Sequence, residues 1–578
     1  MKAYKKIVSI ALAALFVYGQ AVAQDSAEDF ENDSFASGFD DDFGSGFGGE
    51  DDFGASYDSG SSDPVFEFSG AAQMEARLFP GRNDSEFDTA GFGSNFANRA
   101  IGINPQVTLG INYSGSVSEF SGKFKFNRQL FTDYPEDILQ EFTARLYLGD
   151  FILEAGKMKL VWGKGDKVHV LDNFNANDYT DFIVPDYIDR RIAEPMFHII
   201  YNAPVGMRLE GVWTPIMTAD RLASSGMWQP ALTAELTDQV RELVQHDLAA
   251  KLATLEADSN NPYKQSAYLT ALNDATSFSA DSLYKDNLKS LKFGQAGLRS
   301  TFTLGPVDLG VSYYYGHYKQ PSANLQNTII YKALNYKIID EAGNTEYTQD
   351  VSKSIAHSML NGRVDDEDLK SLKQKYDIKN SLPELYYDQL SVFGLEAATV
   401  IGPFNTRAEF AYNLTNDIAG DDPWVKNNSI AWEFGFDIDL PIHNINLNAQ
   451  TTGKYILHKN EIKNGGIEIA GLPKLSWSML KNNYDVDYDT TGTYSRNQLI
   501  VDITDTFNYE KIKLDIKGIY QFETKDLIVL PSLSFKLGSD DFTLNLSGLI
   551  ICAFADEDSE YYAWRNNDFF AIGCKYQF

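Results

Sequence analysis

Seven histidines and two cysteines are the side chains of this chain best suited to metal or nucleophilic chemistry. The histidines stand at 169, 198, 246, 317, 357, 443 and 458, and they show no paired metal-ligand spacing. His-Glu-x-x-His is absent, as are a glycine-rich phosphate loop ending in Gly-Lys-Ser/Thr and a Gly-x-Ser-x-Gly elbow. The expectation is no enzyme, no metal and no cofactor, although a triad recognised by geometry rather than spacing leaves no sequence trace. Charge placed at alternate positions says more. Arg145, Arg208, Glu210, Arg299, Glu396, Arg407, Glu409, Glu433, Asp437, Lys513, Asp515 and Lys517 all fall on the polar face of alternating runs. Their chemistry is electrostatic. Fixed charges on one wall set a preference among passing solutes, or they pair across neighbouring strands and stiffen the wall.

The elements that must position these charges are β-strands, because neighbouring side chains of a strand point to opposite faces. Trp432, Phe434, Phe436, Ile438 and Leu440 alternate with Glu433, Gly435, Asp437 and Asp439. Ala408, Phe410, Tyr412 and Leu414 do so with Arg407, Glu409 and Asn413, and Ile512 to Phe522 repeats the pattern. About 18 such runs, within a range of 14 to 20, begin near 65, 99, 117, 140, 150, 195, 206, 293, 306, 389, 404, 430, 443, 497, 510, 527, 541 and 566. Tight turns alternate with long polar connections. The turns include Gly149-Asp150, Gly305-Pro306, Gly402-Pro403 and Asn508-Tyr509-Glu510; the connections include 162–194, 215–292, 319–389 and 458–495. One connection on the long side, Glu523 to Asp526, is short. Short turns at one end and long loops at the other are the rhythm of an outer-membrane barrel. The expected fold is all-β, a transmembrane antiparallel up-and-down barrel spanning 64–578. Its apolar rows face lipid and its polar rows face the lumen.

The chain starts with Lys2, Lys5 and Lys6, an apolar stretch from Ile7 to Tyr18, and Ala21-Val22-Ala23. This predicts a cleaved secretory signal over 1–23. Residues 24–63 hold 13 Asp or Glu, no Lys or Arg, and Phe30, Phe35, Phe39, Phe43, Phe47 and Phe53 among Gly and Ser. So much charge with so little apolar bulk predicts a disordered periplasmic segment. It reads as a solvated linker, a strip for a periplasmic partner, or, through Asp40-Asp41-Asp42, a calcium site that lacks the spacing of a calcium loop. The formal net charge of −32 excludes nucleic acid as a partner. Aromatic residues make up 13% of the chain, which suits girdles at two membrane interfaces.

The last run places Phe570, Ile572, Cys574, Tyr576 and Phe578 on one face and stops on an aromatic. It resembles the C-terminal signal by which outer-membrane barrels are recognised by the barrel-assembly machinery. The stretch Gly163–Pro215, with Asp172-Asn173-Phe174-Asn175, Asp189-Arg190-Arg191 and Trp213-Thr214-Pro215, resembles poorly characterised porin-like barrels of Gram-negative envelopes. That resemblance implies a bacterial outer-membrane location, outer-membrane lipid as a partner, and a porin-like channel or transporter.

The loop Trp162–Glu194 is the best candidate for a constriction folded into the lumen, through Asp172, Arg190 and Arg191 among others; the alternative is an extracellular cap. Leu232, Leu236, Val240, Leu243, Val244, Leu248, Leu252 and Leu255 recur at helical spacing. This predicts a partly helical insertion whose apolar face is buried on the other insertion, in the barrel mouth, or on a partner. A second short helix is expected near Asp365–Tyr376. A hairpin centred near Ala563 would bring Cys552 opposite Cys574, where a cross-strand disulfide and two small fillers are both open readings. The expected function is passage of small or amphipathic solutes. The alternative is a barrel presenting its loops as an adhesin or structural envelope protein. Mixed charge signs argue against a strongly anion-selective pore, and the overall acidity leans toward cations or neutral solutes.

Overall fold

Alternating apolar rows cannot be buried by an open sheet in lipid, because every edge N–H and C=O would lack a partner. In the computed structural model the chain resolves this by closing. The structure describes residues 65–578 except 82–83, 89–98, 231–239, 248–282, 336–337, 340–344, 347–352, 354–355, 361–362, 468–474, 477–493, 539–540 and the single positions 186, 205, 225, 246, 358, 423 and 465. The signal over 1–23 and the acidic segment over 24–63 lie outside the described residues.

Eighteen long strands form the wall. They are β1 (Val65–Leu78), β2 (Arg99–Ser114), β3 (Ser118–Phe126), β4 (Leu139–Leu148), β5 (Phe151–Met158) and β6 (Glu194–Ala203). Next come β7 (Met207–Thr214), β8 (Gln295–Leu304), β9 (Val307–His317), β10 (Gln389–Ile401), β11 (Phe404–Leu414) and β12 (Ser429–Asp439). The wall ends with β13 (Asn446–Ile456), β14 (Ser495–Phe507), β15 (Ile512–Gln521), β16 (Asp526–Leu537), β17 (Phe542–Ala553) and β18 (Phe569–Gln577). Each pairs antiparallel with the next, and β18 pairs antiparallel with β1, from Ala71 opposite Gln577 to Leu78 opposite Phe570. A short extra strand, Asp84–Asp88, lies parallel to the start of β2. The short turns fall at one end, apart from the four-residue connection 522–525 between β15 and β16 at the other. Glycine serves five of them, Gly149, Gly206, Gly305, Gly402 and Gly538, at φ between +64° and +76°, where a side chain would be strained.

The outward rows are apolar. Leu209, Leu298, Leu395, Phe410, Phe434, Ile516, Leu546 and Ile572 are all exposed. Aromatic pairs rim both ends of this belt. Phe66–Tyr113, Phe151–Tyr201 and Phe404–Phe436 mark the short-turn end, and Tyr313–Phe393 and Tyr520–Phe522 the long-loop end.

The inward rows depart from the simple rule in one sector. Ile500, Ile519, Ile528, Leu530, Leu549 and Ile551 point inward on β14–β17 and are fully buried. They pack on Phe182, Trp228, Tyr561 and Trp564, which come from loops folded into the bore. Apolar residues on both faces there follow from a lumen filled by protein rather than water.

The long loops also build a second core clear of the strands. Val240, Leu283, Ile329, Ile330, Leu369, Leu372, Leu385 and Trp424 bury one another. The predicted stripe therefore meets the other insertion over its described part. Helix α1 (Gln326–Asn335) contributes two of these residues. Helix α2 (Asp366–Lys375) contributes two more and carries the capping box of Asp365 and Asp368. The cysteines are both free. Leu544 faces Cys574, while Cys552 faces Leu527 on the other neighbouring strand. The hairpin pivots four residues earlier than the sequence suggested, so a Cys552–Cys574 bond is out of reach.

Candidate functional site

Inside the wall, strand pairing sets charges against each other along one continuous row. Arg145 on β4 donates to Glu154 on β5 at 2.5 Å and lies 3.3 Å from Glu119 on β3. His198 on β6 sits between Glu154, 2.7 Å from Nδ1, and Glu210 on β7, 3.1 Å from Nε2. Arg299 on β8 reaches Glu210 at 3.5 Å and Glu396 on β10 at 2.7 Å, and Arg208 lies 3.1 Å from Glu210. Burying an ion is costly unless it is paired, and this row pairs each member across seven strands. The residues expected from parity thus face the lumen, but they are engaged with one another.

Arg407 and Glu409 do something else: they hold the loop 159–193. The loop enters the lumen and crosses it. Near its start, the Glu409 carboxylate accepts from the Gly165 N–H at 2.6 Å and the Val170 N–H at 2.8 Å, and its Oε1 lies 3.0 Å from His169 Nδ1. Arg407 donates to Asp166 at 2.5 Å and to Asp437 at 2.7 Å. The approach is close. Gly163 sits at φ +126°, and a Cβ at Gly165 would collide with the Val168 carbonyl. Lys167 pairs with Asp502 at 3.3 Å.

Farther along, Asp181 receives a bidentate pair of bonds from Arg77 on β1, at 2.7 and 2.8 Å. Arg77 is 2% exposed, donates to Glu75 at 2.6 Å and lies over the Phe569 ring at 4.6 Å. The loop is stiffened from within. Ala176–Tyr179 pairs with Arg191–Ile192 and, in parallel, with Arg221–Leu222 of the next connection. Asn175 joins the two ends of the loop, accepting from Leu160 N–H and donating to Met158 and Ile192 carbonyls. Arg191 bonds Asp172, the Asn175 carbonyl and the Tyr187 hydroxyl. Arg190 stacks over Tyr179 at 5.6 Å.

Between β5 and β12 the loop packs Trp162, Leu171 and Phe174 against Met196, Tyr314 and Val392. On the side of β1–β4, a cavity partly open to solvent lies between the loop and that wall. Gln73, Asn104, Gln106, Lys123 and Lys125 line it on the strand side, and Asp178, Thr180, Asp189, Arg190 and Arg191 on the loop side. Of the ten residues singled out by sequence, Arg190 and Arg191 border this cavity. Arg145, Arg208, Glu210, Arg299, Glu396, Arg407, Glu409 and Asp172 do not line it; they brace the wall and the loop. The amides of β1 and β2 were missed because the reading followed charge. Their signal was present as polar residues at alternate positions, Gln73 and Glu75, then Asn104, Gln106 and Thr108.

The lining carries Arg77, Lys123, Lys125, Arg190, Arg191 and Arg221 against Glu75, Asp137, Asp178, Asp181 and Asp189. That balance differs from the strong acidity of the whole chain. Among the described residues no group of three or more His, Cys, Asp or Glu converges on a metal position.

No protein-family profile matches the chain, and no curated protein does. Solved structures similar to it include OccK3 (OpdO) of Pseudomonas aeruginosa, 10% identical over 89% of this chain and 96% of that one, with a TM-score of 0.39. A BenF-like porin from Pseudomonas fluorescens Pf-5 is 8% identical over 89% and 98%, at 0.40. Wzi of Escherichia coli, described as a carbohydrate-binding β-barrel, is 10% identical over 88% and 84%, at 0.36. The fold rests on the strand register itself. A closed antiparallel 18-strand cylinder with an apolar exterior and aromatic rims is the porin-like architecture of the bacterial outer membrane.

Proposed function

We propose that this barrel is a passive channel for small polar solutes, and that they travel through the off-centre cavity between loop 159–193 and strands β1–β4. The observation that carries the reading is the cavity itself: polar, partly open to solvent, and set between the lumen loop and the strand wall, while apolar clusters fill the lumen beside β14–β17 and around Trp162 and Phe174. Its lining of amides and mutually paired charges suits solutes that need hydrogen-bond partners, and it offers apolar molecules little.

Reconstitution in a planar bilayer tests this. Discrete conductance steps are expected. Gln106→Trp, which narrows the cavity from the strand side, is expected to reduce the step size, whereas Thr452→Val on the inner face of β13, six strands around the ring from β1, leaves it unchanged. A silent barrel would instead favour the display of loops as an adhesin or envelope component. The outward face of β18, ending at Phe578, serves on this reading as the recognition strand for the assembly machinery. Phe578→Ala then lowers the amount of barrel in the outer membrane without altering the channel that does insert.

A further inference from the structure

The lining of the cavity is sorted by side and by use. Most of its charges are already committed: Arg77 to Asp181 and Glu75, Arg191 to Asp172, and Asp137 to Lys157 at 2.7 Å and to Arg221. Two are different. Lys125 on β3 has no ion-pair or hydrogen-bond partner for its ammonium among the described residues, and it is half-buried. Asp178, on the loop strand across the cavity, uses Oδ1 to accept from Thr180 at 3.0 Å (N–H) and 2.6 Å (hydroxyl). Its Oδ2 lies 3.7 Å from Arg221, which is held mainly by Asp137. Asp178 therefore lines the cavity with one carboxylate oxygen held only by a long ion pair, and Lys125 with an ammonium that has no partner among the described residues.

Three amides, Gln73, Asn104 and Gln106, line the same cavity, with Gln73 directly opposite Gln106 in the β1–β2 register and Thr108 opposite Lys125 in β2–β3. A simple cation or anion in such a slot meets one attraction and one repulsion. A solute carrying both an ammonium and a carboxylate on one short skeleton meets two attractions, and the amides serve the groups between.

We infer that the preferred permeants are zwitterions of amino-acid or short-peptide size, oriented with the carboxylate toward Lys125 and the ammonium toward Asp178. This deepens the channel reading and rests on it. The test is liposome swelling with the purified full-length barrel, using L-serine, the uncharged polyol erythritol, lactate and ethanolammonium as probes. Serine is expected to enter about threefold faster than erythritol, the scale that two partly solvated ion pairs provide, and faster than either single ion. Lys125→Gln and Asp178→Asn should each bring the ratio of serine to erythritol entry down to about one. The exchanged pair Lys125→Asp with Asp178→Lys should restore the preference. Heat-modifiable gel mobility reports whether each variant is a folded barrel. Equal entry of serine and erythritol, or a serine preference that survives both single substitutions, would overturn the inference while leaving the channel standing. No entry of any probe would overturn the channel itself.

Discussion

Glu409 shows how far a residue's role can lie from its position in a pattern. Strand parity places it on the lumen wall, and it is there, yet its carboxylate is consumed by two backbone N–H groups and a histidine ring of the loop. Glu409→Ala leaves those donors buried without an acceptor, at a cost of about 1–3 kcal/mol each. The expected outcome is a lower melting temperature together with noisier, larger conductance steps as the loop loosens; Glu409→Gln retains part of the clasp and falls between. Asp388 allows a second prediction at this scale. It lies just before β10, accepts from Ser322 at 2.6 Å and from the Lys426 N–H at 2.9 Å, and burial pushes its carboxyl up to about 6 from 3.8, against the pull of those donors and of Lys426. The folded state then holds a proton between pH 3.8 and 6 that the unfolded chain releases, so local stability falls as pH rises through that window and is flat above it. Hydrogen exchange at 322–325 and 385–388, corrected for its intrinsic pH dependence, should be slower at pH 5 than at pH 7.5, and Asp388→Asn should abolish the difference.

At the scale of elements, the wall was legible in the sequence and the loop was not, and physics separates the two. Lipid outside a closed sheet demands apolar residues at every second position, so the alternation at Trp432–Leu440 or Ile512–Phe522 marks strands directly. All 18 starts were near their true places. Leu546→Lys, in the middle of the outward row of β17, should cost about 2–4 kcal/mol in a urea refolding series, the price of a charge at the bilayer midplane. Helix α2 was legible for a similar reason, since Asp365 and Asp368 write its capping box into the chain. Asp365→Ala should weaken that helix by about 1 kcal/mol, read by exchange of its first amides. The loop 159–193 carried no such local code. Its charged and aromatic residues suit a lumen or a cap equally, and the contacts that decide are between Gly165 and Glu409 or Asp181 and Arg77, far apart in the chain. The hairpin before β18 failed in the same way, because a fifteen-residue connection, 554–568, leaves register to tertiary packing.

For the whole molecule, the two apolar cores have different solvents and separate fates. The loop core around Ile329, Leu372 and Trp424 contains no wall residue, so it is held by its own packing. Ile329→Ala should destabilise it by about 2–5 kcal/mol, seen as faster exchange in α1 and α2, while the heat-modifiable mobility of the barrel stays as it was.

The loop is tied to β11 through Glu409 and to β1 through Arg77, strands ten steps apart one way around the ring and eight the other. A hoop with a strut fixed at two nearly opposite points resists being squashed along that diameter. Crowded neighbours pressing on the rim therefore meet stiffness along this axis, and the bore beside the strut keeps its width under load.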